Sequence, residues 1–380
     1  MRIGIFETEH FEGAYPIIKL FDNGKNEITI FTYAKPYRQF QYLFRNDHQR
    51  YSWVVKEENE SRYQFISRIY KESRKRKIEL LYLNTILDNH LFYMWLIRRL
   101  RNVRIIVTLH AINNHFYFKP AFSFRRWVRN IGKKQMIRAV KEFNVVSVTM
   151  VSYLQSLLPT HKKVYALPGA VFEGRYRQLP APKNGEPIKL VVPGTVDVRR
   201  RNYEAIFELL EQCNAHSLPV SIVLLGGYYG EAGKQVLQKC REYAATHDNL
   251  RFYDTDVVDQ PEFDRVMDES HFVFIPSVID TVLSDDIEER YGQSISSGNL
   301  FDIIKHAKPF IVPAALDIPG DLEGSAITYT AIQEIVIFFV TVLKDPAVYD
   351  EFARKAIVSS QHYTIDEIRK KYPTLFGTAR

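Results

Sequence analysis

Short apolar runs alternate with amphipathic stretches of helical length along the first half of the chain. The runs are continuous rather than alternating, which is typical of parallel strands buried on both faces. The predicted strands are Arg2–Glu7, Glu27–Tyr33, Leu80–Asn84, Arg104–His110 and Val145–Val151. The predicted helices between them are Arg62–Lys77, Leu91–Arg101 and Phe124–Phe143. This repetition predicts an α/β, doubly wound domain over residues 1–170.

A second series of the same kind follows a segment rich in proline and glycine. That segment, residues 171–187, is the predicted linker. Residues 188–345 form the second predicted domain, and residues 346–380 form helices that we expect to pack back toward the first domain. The predicted strands are Ile188–Val192, Val220–Leu225, Leu250–Tyr253, Phe272–Ile275, Phe310–Val312 and Ala326–Tyr329. The predicted helices are Tyr203–Cys213, Glu231–Thr246, Pro261–Glu269, Leu300–His306, Pro346–Ala356 and Ile365–Tyr372. Two Rossmann-like domains facing a cleft are the expected architecture.

Composition narrows the class of protein. A chain of 380 residues suits two domains. Its cysteines, Cys213 and Cys240, show neither metal-ligand nor disulfide spacing. The first strand begins without the features of a signal peptide, and the apolar run Ile335–Leu343 is about half of a bilayer span. We therefore expect a cytoplasmic protein that needs no metal or other cofactor.

Net charge differs between the two halves. Residues 1–170 hold 29 basic and 13 acidic residues, a net charge of +16, whereas residues 171–380 hold 22 and 31, a net charge of −9. Opposite signs indicate two domains with different ligands. A strongly basic half is typical of proteins that bind nucleic acid, anionic membrane or phosphorylated acceptors.

Two predicted helices concentrate the positive charge. Arg62–Lys77 carries seven basic residues and one acidic residue, and the segment Phe122–Lys141 carries seven basic residues and no acidic one. The second segment has apolar side chains between its charges: Phe122, Phe124, Trp127 and Ile131. Such a pattern is typical of a peripheral helix on the inner membrane face, although a solvated basic face over an ordinary core stripe is the alternative. No nucleic-acid-binding module is apparent, so nucleic acid is not an expected partner.

The first strand of the second domain ends at Gly194 and Thr195, and three arginines follow as Arg199–Arg201. A glycine there lets a phosphate approach the backbone, and guanidinium groups neutralise a diphosphate. Three cations before a helix oppose its dipole unless an anion is present. The pattern therefore favours a diphosphate bound by Arg200 and Arg201, with a solvated basic helix start as the alternative.

The next strand ends of this domain supply further candidates for the same ligand. Gly226 and Gly227 follow the second strand, Val257 lies in the loop after the third, and Ser277 follows the fourth. In open α/β sheets, ligands bind outside the carboxyl ends of the strands, so these loops share one crevice. A Gly-Gly pair alone is weak evidence, because most such pairs are turns.

A predicted helix start adds a second anion-binding element to this crevice. Ser297 is a good N-cap residue, and Gly298, Asn299 and Leu300 come at the first turn. Free backbone N–H groups at such a position bind phosphate. An ordinary capped helix is the alternative.

These segments together resemble the donor domain of GT-B glycosyltransferases, in particular those of the retaining family 4. The resemblance covers residues 188–312 well and implies a nucleotide-diphosphate-sugar donor bound by the second domain. Asp302 stands where that family has the second glutamate of its paired-glutamate motif. The matching segments are Gly194 with Arg200 or Arg201, Leu225–Gly227, Phe274–Ser277 and Asp302–Val312.

The chain departs from that family at two informative positions. Ser294 stands eight residues before Asp302, where the family has the first glutamate, and Ala307 replaces a glycine. The Glu-x7-Glu motif is therefore not intact. An acidic stretch just upstream is a candidate substitute for the missing carboxylate: Asp285, Asp286, Glu288 and Glu289.

The candidate catalytic groups are Asp302 of the second domain and several residues of the first domain. His110 follows a strand and resembles the histidine that family 4 enzymes place beside the transferred sugar. Glu7, His10 and Glu12 follow the first strand, and one of them is the candidate general base if the enzyme inverts configuration. If the enzyme retains configuration, the donor phosphate takes the proton and His110 orients the sugar. The donor-domain resemblance favours retention.

The function expected from these features is transfer of a hexosyl group from a nucleotide-diphosphate-sugar to a glycan or lipid-linked acceptor in cell-surface polysaccharide synthesis. A sugar-nucleotide epimerase of the same shape is one alternative, and it would turn over the donor alone. A catalytically degenerate protein that binds anionic lipid or glycan is another, and it would show no nucleotide binding.

Overall fold

The computed structural model describes residues 1–119, 123–183, 185–284 and 286–377. Two parallel β-sheets dominate it, and a two-stranded hairpin extends from the second. One core lies on each face of each sheet, as in doubly wound α/β domains. The structure confirms the predicted fold class.

The first sheet has seven parallel strands in the order β3-β2-β1-β4-β5-β6-β7. Its central strand β1 is apolar after Arg2 except for Gly4 and the final Glu7, and every residue after Arg2 is buried. The strands are β1 Arg2–Glu7, β2 Glu27–Thr32, β3 Ser52–Val55, β4 Leu80–Leu83, β5 Arg104–Thr108, β6 Glu142–Val145 and β7 Lys163–Ala166. The helices are α1 Phe11–Phe21, α2 Ala34–Phe44, α3 Arg62–Lys75, α4 His90–Arg99, α5 Asn113–Phe116, α6 Phe124–Ala139 and α7 Val151–Leu157.

The second sheet has six parallel strands in the order β10-β9-β8-β11-β14-β15. Strands β12 and β13 lie outside it and pair with each other in antiparallel fashion. The strands are β8 Ile188–Pro193, β9 Val220–Leu225, β10 Leu250–Phe252, β11 Phe272–Phe274, β12 Asp280–Ser284, β13 Ile287–Arg290, β14 Phe310–Pro313 and β15 Ala326–Tyr329. The helices are α8 Tyr203–Ala215, α9 Gly230–Ala244, α10 Gln260–Asp268, α11 Asn299–His306, α12 Gly320–Glu323, α13 Ile332–Lys344, α14 Pro346–Gln361, α15 Ile365–Lys371 and α16 Pro373–Phe376.

One predicted strand, Val145–Val151, is wrong. The strand is β6, which ends at Val145, and a 3₁₀ turn and α7 take up the apolar residues that follow. Glu142 tolerates its place in the sheet because Arg104 of β5 binds its carboxylate through two nitrogens, at 2.9 and 2.7 Å. The apolar pattern of the sequence did not predict this strand, because its first residue, Glu142, is charged.

The last helices of the chain return to the first domain. Arg369 on α15 donates hydrogen bonds to three backbone carbonyls at the end of α1, at 2.7 to 3.0 Å. Leu375 and Phe376 are buried in the core on that face of the first sheet. The chain therefore crosses between the domains twice, once through residues 171–187 and once after α14.

The linker is fastened to the second domain. Lys308, which is fully buried, donates from Nζ to the backbone oxygen of Arg177 at 2.7 Å and to the carbonyls of Asp268 and Ser270 at the end of α10. The imidazole of His271 lies 3.2 Å from the carbonyl oxygen of Pro180. These contacts fix the linker at Arg177 and Pro180.

Within the described residues, no helix is long and apolar enough to cross a membrane. The apolar run Ile335–Leu343 belongs to α13, which packs against the second sheet. Cys213 and Cys240 are buried free thiols in the same core.

Candidate active site

The carboxylate of Glu7 lies at the point where three strands of the first sheet end. Its side chain is fully buried. Oε1 accepts the backbone N–H groups of the three residues that follow, at 2.5 to 2.8 Å. Oε2 accepts from Asn84 Nδ2 at 2.6 Å and from Thr85 Oγ1 at 2.8 Å. With five donors on two oxygens, Glu7 is not available as a general base, which corrects that sequence-based hypothesis.

His110 lies beside this carboxylate and shares its neighbours. The His110 Nε2 atom is 2.9 Å from the backbone oxygen of Asn84 and 3.4 Å from Thr85 Oγ1. Since a carbonyl oxygen only accepts, Nε2 carries the proton, and Nδ1 keeps its lone pair. Burial, assisted by the nearby ring of His10, lowers the pKa of His110 to about 4, so the imidazole is neutral near pH 7.

The structure brings two other predicted residues of the first domain to the same place. The His10 ring centroid is 5.4 Å from that of His110. Glu12, in the first turn of α1, is solvent-accessible, yet desolvation in the cleft raises its pKa, while the positive charge of Lys305 lowers it. Because Lys305 belongs to α11, Glu12 faces the second domain.

Asp302 is the corresponding carboxyl group on the second domain. Burial raises the pKa of Asp302 to about 6, and the Glu12 charge adds to this rise although His306 opposes it. Asn299 Nδ2 lies 3.4 Å from Asp302 Oδ2. Glu12 and Asp302 thus interact across the cleft, and each takes up a proton more readily than a free carboxylate does.

The glycines of the second domain serve the packing of its strand ends. Gly194 has a φ of +91°, and an added Cβ there would lie 2.6 Å from Arg201 Nη2. A Cβ at Gly226 would lie 2.4 Å from the oxygen of Gly194, and one at Gly227 would lie 2.0 Å from the oxygen of Asp256. Side chains at these positions would force the loops apart. Their predicted contact with a phosphate remains a prediction.

The three consecutive arginines have three different environments. Arg201 is 7% exposed and donates to Thr195 O at 2.7 Å, to Asn299 Oδ1 at 3.0 Å and to Pro193 O. Its guanidinium therefore fastens the β8 loop to α11. Its Nε atom is buried and has no hydrogen-bond partner among the described residues, so the predicted contact of Arg201 with a diphosphate remains a prediction.

Arg199 and Arg200 share a counter-ion that the sequence reasoning missed. Buried Asp197 accepts from Arg199 Nε at 2.9 Å and from Arg199 Nη2 at 2.7 Å, and it lies 3.4 Å from Arg200 Nε. The anion that these cations require is thus a carboxylate of their own loop. Arg200 remains half-exposed and is the arginine best placed to meet a ligand.

The start of α11 retains unused hydrogen-bond donors. Leu300 N–H donates to Ser297 O at 3.2 Å, and its side chain is buried in the core. Among the described residues, no acceptor is found for the backbone N–H groups of Gly298 and Asn299. Ser297 is buried, with its Oγ 3.5 Å from Asn299 Oδ1. The predicted anion site is therefore reduced to two amides.

The remaining residues that were predicted to bind the nucleotide-sugar differ in their exposure to solvent. Thr195 is exposed, and its backbone oxygen is taken by Arg201. Ser277 is buried, and its N–H donates to Ile275 O at 2.8 Å. Val257 is 77% exposed in the loop after β10. Of these, Thr195 and Val257 are accessible to a ligand.

The acidic stretch proposed as a substitute for the missing glutamate reaches the first domain instead. Glu289 on β13 is buried and accepts the backbone N–H groups of Asn113 at 3.3 Å and Asn114 at 2.8 Å. Burial raises the pKa of Glu289 to about 7. Asp286 pairs with Arg126 at 3.3 Å.

The other two residues of this acidic stretch are Glu288 and Asp285. Glu288 is exposed, and its backbone oxygen accepts from Asn113 Nδ2 at 2.8 Å. Asp285 lies outside the described residues. The hairpin β12–β13 is therefore a bridge between the domains, reinforced by the Ile112 N–H bond to Ser294 O at 2.8 Å.

The site residues that sequence reasoning missed are Asn84, Thr85, Asp197 and Arg199. A usable signal existed for two of them, because Asn84 and Thr85 directly follow a buried strand whose carboxyl end lies at the same sheet edge as those of its neighbours. Within the described part of the chain, no group of three or more potential ligands is arranged to hold a metal ion.

Comparison with known proteins shows what the first domain is similar to. Residues 17–172, most of the first domain, match the profile of Glycosyltransferase Family 4. The first domain is therefore similar to the glycosyltransferases of that family. The predicted resemblance is confirmed, although the profile matches the first domain, whereas the sequence reasoning drew its motifs from the second. No curated protein matches the chain.

Solved structures show that the whole chain has the GT-B fold. Sucrose-phosphate synthase from Thermosynechococcus elongatus is 14% identical with a TM-score of 0.66, and HepE from Anabaena, in complex with UDP-glucose, is 13% identical with a TM-score of 0.66. The lipopolysaccharide outer core galactosyltransferase WaaB is 12% identical with a TM-score of 0.62. Each match covers 100% of both chains.

The fold alone does not separate transferases from epimerases. A UDP-GlcNAc 2-epimerase from Neisseria meningitidis matches over 100% of both chains, at 11% identity and a TM-score of 0.56. The family profile is therefore the observation that favours glycosyl transfer.

Proposed function

We propose that this glycosyltransferase moves a hexosyl group from a nucleotide-diphosphate-sugar to a glycan or lipid-linked acceptor, with retention of configuration, in cell-surface polysaccharide synthesis. The observation that carries the donor assignment is the pair of open amides, Gly298 and Asn299, at the start of α11. They lie beside the β8 loop, because Asn299 Nδ2 donates to Pro193 O at 2.8 Å. Helix starts and strand-end loops together favour a diphosphate.

Two solved relatives of the fold support the choice of ligand and acceptor. HepE was crystallised with UDP-glucose, and WaaB is a lipopolysaccharide galactosyltransferase. A donor of that chemical class fits a second domain that offers amides and Arg200 to a diphosphate. Retention is favoured by neutral His110, whose low pKa makes it a hydrogen-bond partner for a sugar hydroxyl rather than a strong base.

A thermal-shift screen against nucleoside diphosphates and their sugars tests the donor assignment. We expect a stabilising nucleotide whose effect weakens in Arg200→Ala and persists in Arg354→Ala, an exposed arginine of α14 that serves as the matched control. No shift with any nucleotide would contradict the proposal. Incubation with the donor alone separates the alternatives, because an epimerase would convert it without an acceptor.

The acceptor side of the proposal rests on an exposed aromatic and basic surface. Phe124 is 77% exposed and Trp127 is 55% exposed, and their rings stack with centroids 5.8 Å apart in the first turn of α6. Arg125 lies between them in sequence and is also exposed. Exposed aromatic rings among cations are typical of a helix that lies on an anionic membrane, where a lipid-linked acceptor would be found. Phe122 lies outside the described residues, and Ile131 is half-buried.

Flotation with vesicles tests this surface. We expect the enzyme to float with vesicles of anionic phosphatidylglycerol and not with phosphatidylcholine. The double variant Phe124→Ser, Trp127→Ser should lose binding. A control that replaces exposed Ile337 and Val358 of the second half by Ser should bind as wild type does. Equal flotation of both double variants would contradict membrane contact through α6.

A further inference from the structure

Glu7 connects the loops that carry the proposed catalytic histidines. Its Oε1 atom holds the backbone N–H groups of residues 8 to 10, which fixes the loop that leads to His10. Its Oε2 atom holds the side chains of Asn84 and Thr85 after β4. One buried carboxylate therefore joins the ends of two neighbouring strands.

The same two residues hold His110 at the end of the next strand. Thr85 gives its hydroxyl proton to Glu7, so its oxygen faces His110 Nε2 as an acceptor at 3.4 Å. Asn84, held by Glu7 through its amide, offers its backbone oxygen to the same Nε2 atom at 2.9 Å. Both recorded hydrogen-bond contacts of His110 thus involve residues that Glu7 fixes.

We propose that Glu7 is the positioning residue of the active site, which fixes the tautomer and orientation of His110 and the course of the loop bearing His10. Glu7 itself touches no substrate. With Nε2–H committed to Asn84 and Thr85, the lone pair of His110 Nδ1 is left to accept a hydrogen bond from a sugar hydroxyl. This inference rests on the proposed function only for the role of His110 in transfer.

A carboxylate is chemically required at this position. Two carboxylate oxygens provide about four lone-pair directions, and five donors converge on them. The variant Glu7→Gln has nearly the same shape, but its amide would direct N–H donors at Asn84 Nδ2 and Thr85 Oγ1. The exchange therefore disrupts the acceptor side of the network with little change in volume.

The direct test observes the His110 ring by NMR in protein labelled with ¹⁵N-histidine, with His110→Asn used for assignment. Wild type should show a neutral ring with the proton on Nε2. Glu7→Gln should shift the ring signals toward a mixture of tautomers, whereas Glu9→Gln, an exposed neighbour in the same loop, should not. An unchanged His110 spectrum in Glu7→Gln would overturn the proposal.

A second variant keeps the test decisive if Glu7→Gln fails to fold. Thr85→Val retains the volume of the side chain and removes the hydroxyl contact to His110, while the loop amides keep their bonds to Glu7. We expect the same change in the His110 ring, smaller in extent. A wild-type ring spectrum in Thr85→Val would then overturn the proposal.

Kinetic measurements distinguish a positioning role of Glu7 from a purely structural one. Glu7→Gln should lower kcat by up to about 100-fold, as expected for a misplaced active-site group, with nucleotide Kd unchanged. Equal losses in kcat and in nucleotide affinity would contradict a positioning role. If wild type transfers no sugar from any donor, the proposed function fails, and the ring spectrum still decides the role of Glu7.

Discussion

The two walls of the cleft are built in opposite ways. On the first domain, Glu7, Asn84, Thr85 and His110 form a closed network in which nearly every donor and acceptor has a partner. On the second domain, two amides at the start of α11 have no acceptor among the described residues, and the side chain of Arg200 is half-exposed.

This difference separates orientation from binding. A satisfied network holds one side chain in one state, which suits a group that must meet a transition state. Open amides and an exposed cation suit a charged ligand that enters from water and leaves again. Variants of the first wall should therefore change turnover, and variants of the second wall should change affinity.

The largest expected effect is on turnover. His110→Ala removes the oriented imidazole and should lower kcat by about 100-fold, while the nucleotide binds as before. Steady-state kinetics with calorimetric titration of the nucleotide measure both quantities. His161→Ala, an exposed histidine in the first domain, is the control. A kcat close to wild type would remove His110 from the reaction.

The second effect is on affinity. Gly298→Pro removes one open amide at a backbone angle that proline adopts, since φ is −59°. Loss of a hydrogen bond to a charged group should weaken binding of the nucleoside diphosphate by about 10-fold. Gly298→Ala keeps the amide, and its Cβ meets no atom within 4 Å. Equal affinities of the two variants would show that this amide binds no phosphate.

The third effect is on stability, and it compares the adjacent residues Arg200 and Arg201. Arg201→Ala leaves buried carbonyls of the β8 loop without their donor and should lower the free energy of unfolding by about 2 kcal/mol. Arg200→Ala should change it by less than about 0.5 kcal/mol, because its side chain is half-exposed. Denaturant titration compares them. Similar losses of unfolding free energy would mean that Arg201 does not stabilise the fold more than Arg200 does.

The smallest effect concerns the contact between the walls. Burial at the hairpin raises the pKa of Glu289 to about 7, and a Glu released to water returns toward its usual value near 4.3. A group whose pKa is raised in the docked state stabilises docking most at low pH, and this contribution is lost as pH rises through 7.

We therefore expect the radius of gyration from small-angle X-ray scattering to increase slightly between pH 6 and pH 8. Glu289→Gln should make it independent of pH, because the titrating group is gone. A pH response that survives in Glu289→Gln would assign it to another group.

Much of the fold could be predicted from the sequence because its strands are buried on both faces. Ile188–Val192 and Val220–Leu225 are continuous apolar runs, and both lie within observed strands. The hairpin β12–β13 escaped this reasoning, since its strands mix polar with apolar residues and its contacts come from both domains. Glu288 and Glu289 are neighbours of equal charge, and tertiary contact decides which is buried.

The site was predictable in its location but less so in the roles of its residues. The pattern of strand ends placed His10 and His110 close together, and the family resemblance pointed to Asp302, which interacts with Glu12. Sequence spacing does not reveal which of three consecutive arginines is buried, because that depends on the positive φ of Gly194 and on the direction of each side chain. The network around Glu7 depends on contacts between residues 77 and 78 positions apart in sequence.

Hydrogen exchange in the presence of the stabilising nucleoside diphosphate tests the central claim most directly, namely that the second domain binds the donor. We expect slower amide exchange at residues 194–200 and 296–301, with residues 84–85 and 110 unchanged. Protection confined to the first domain, or no protection with any nucleotide, would contradict it.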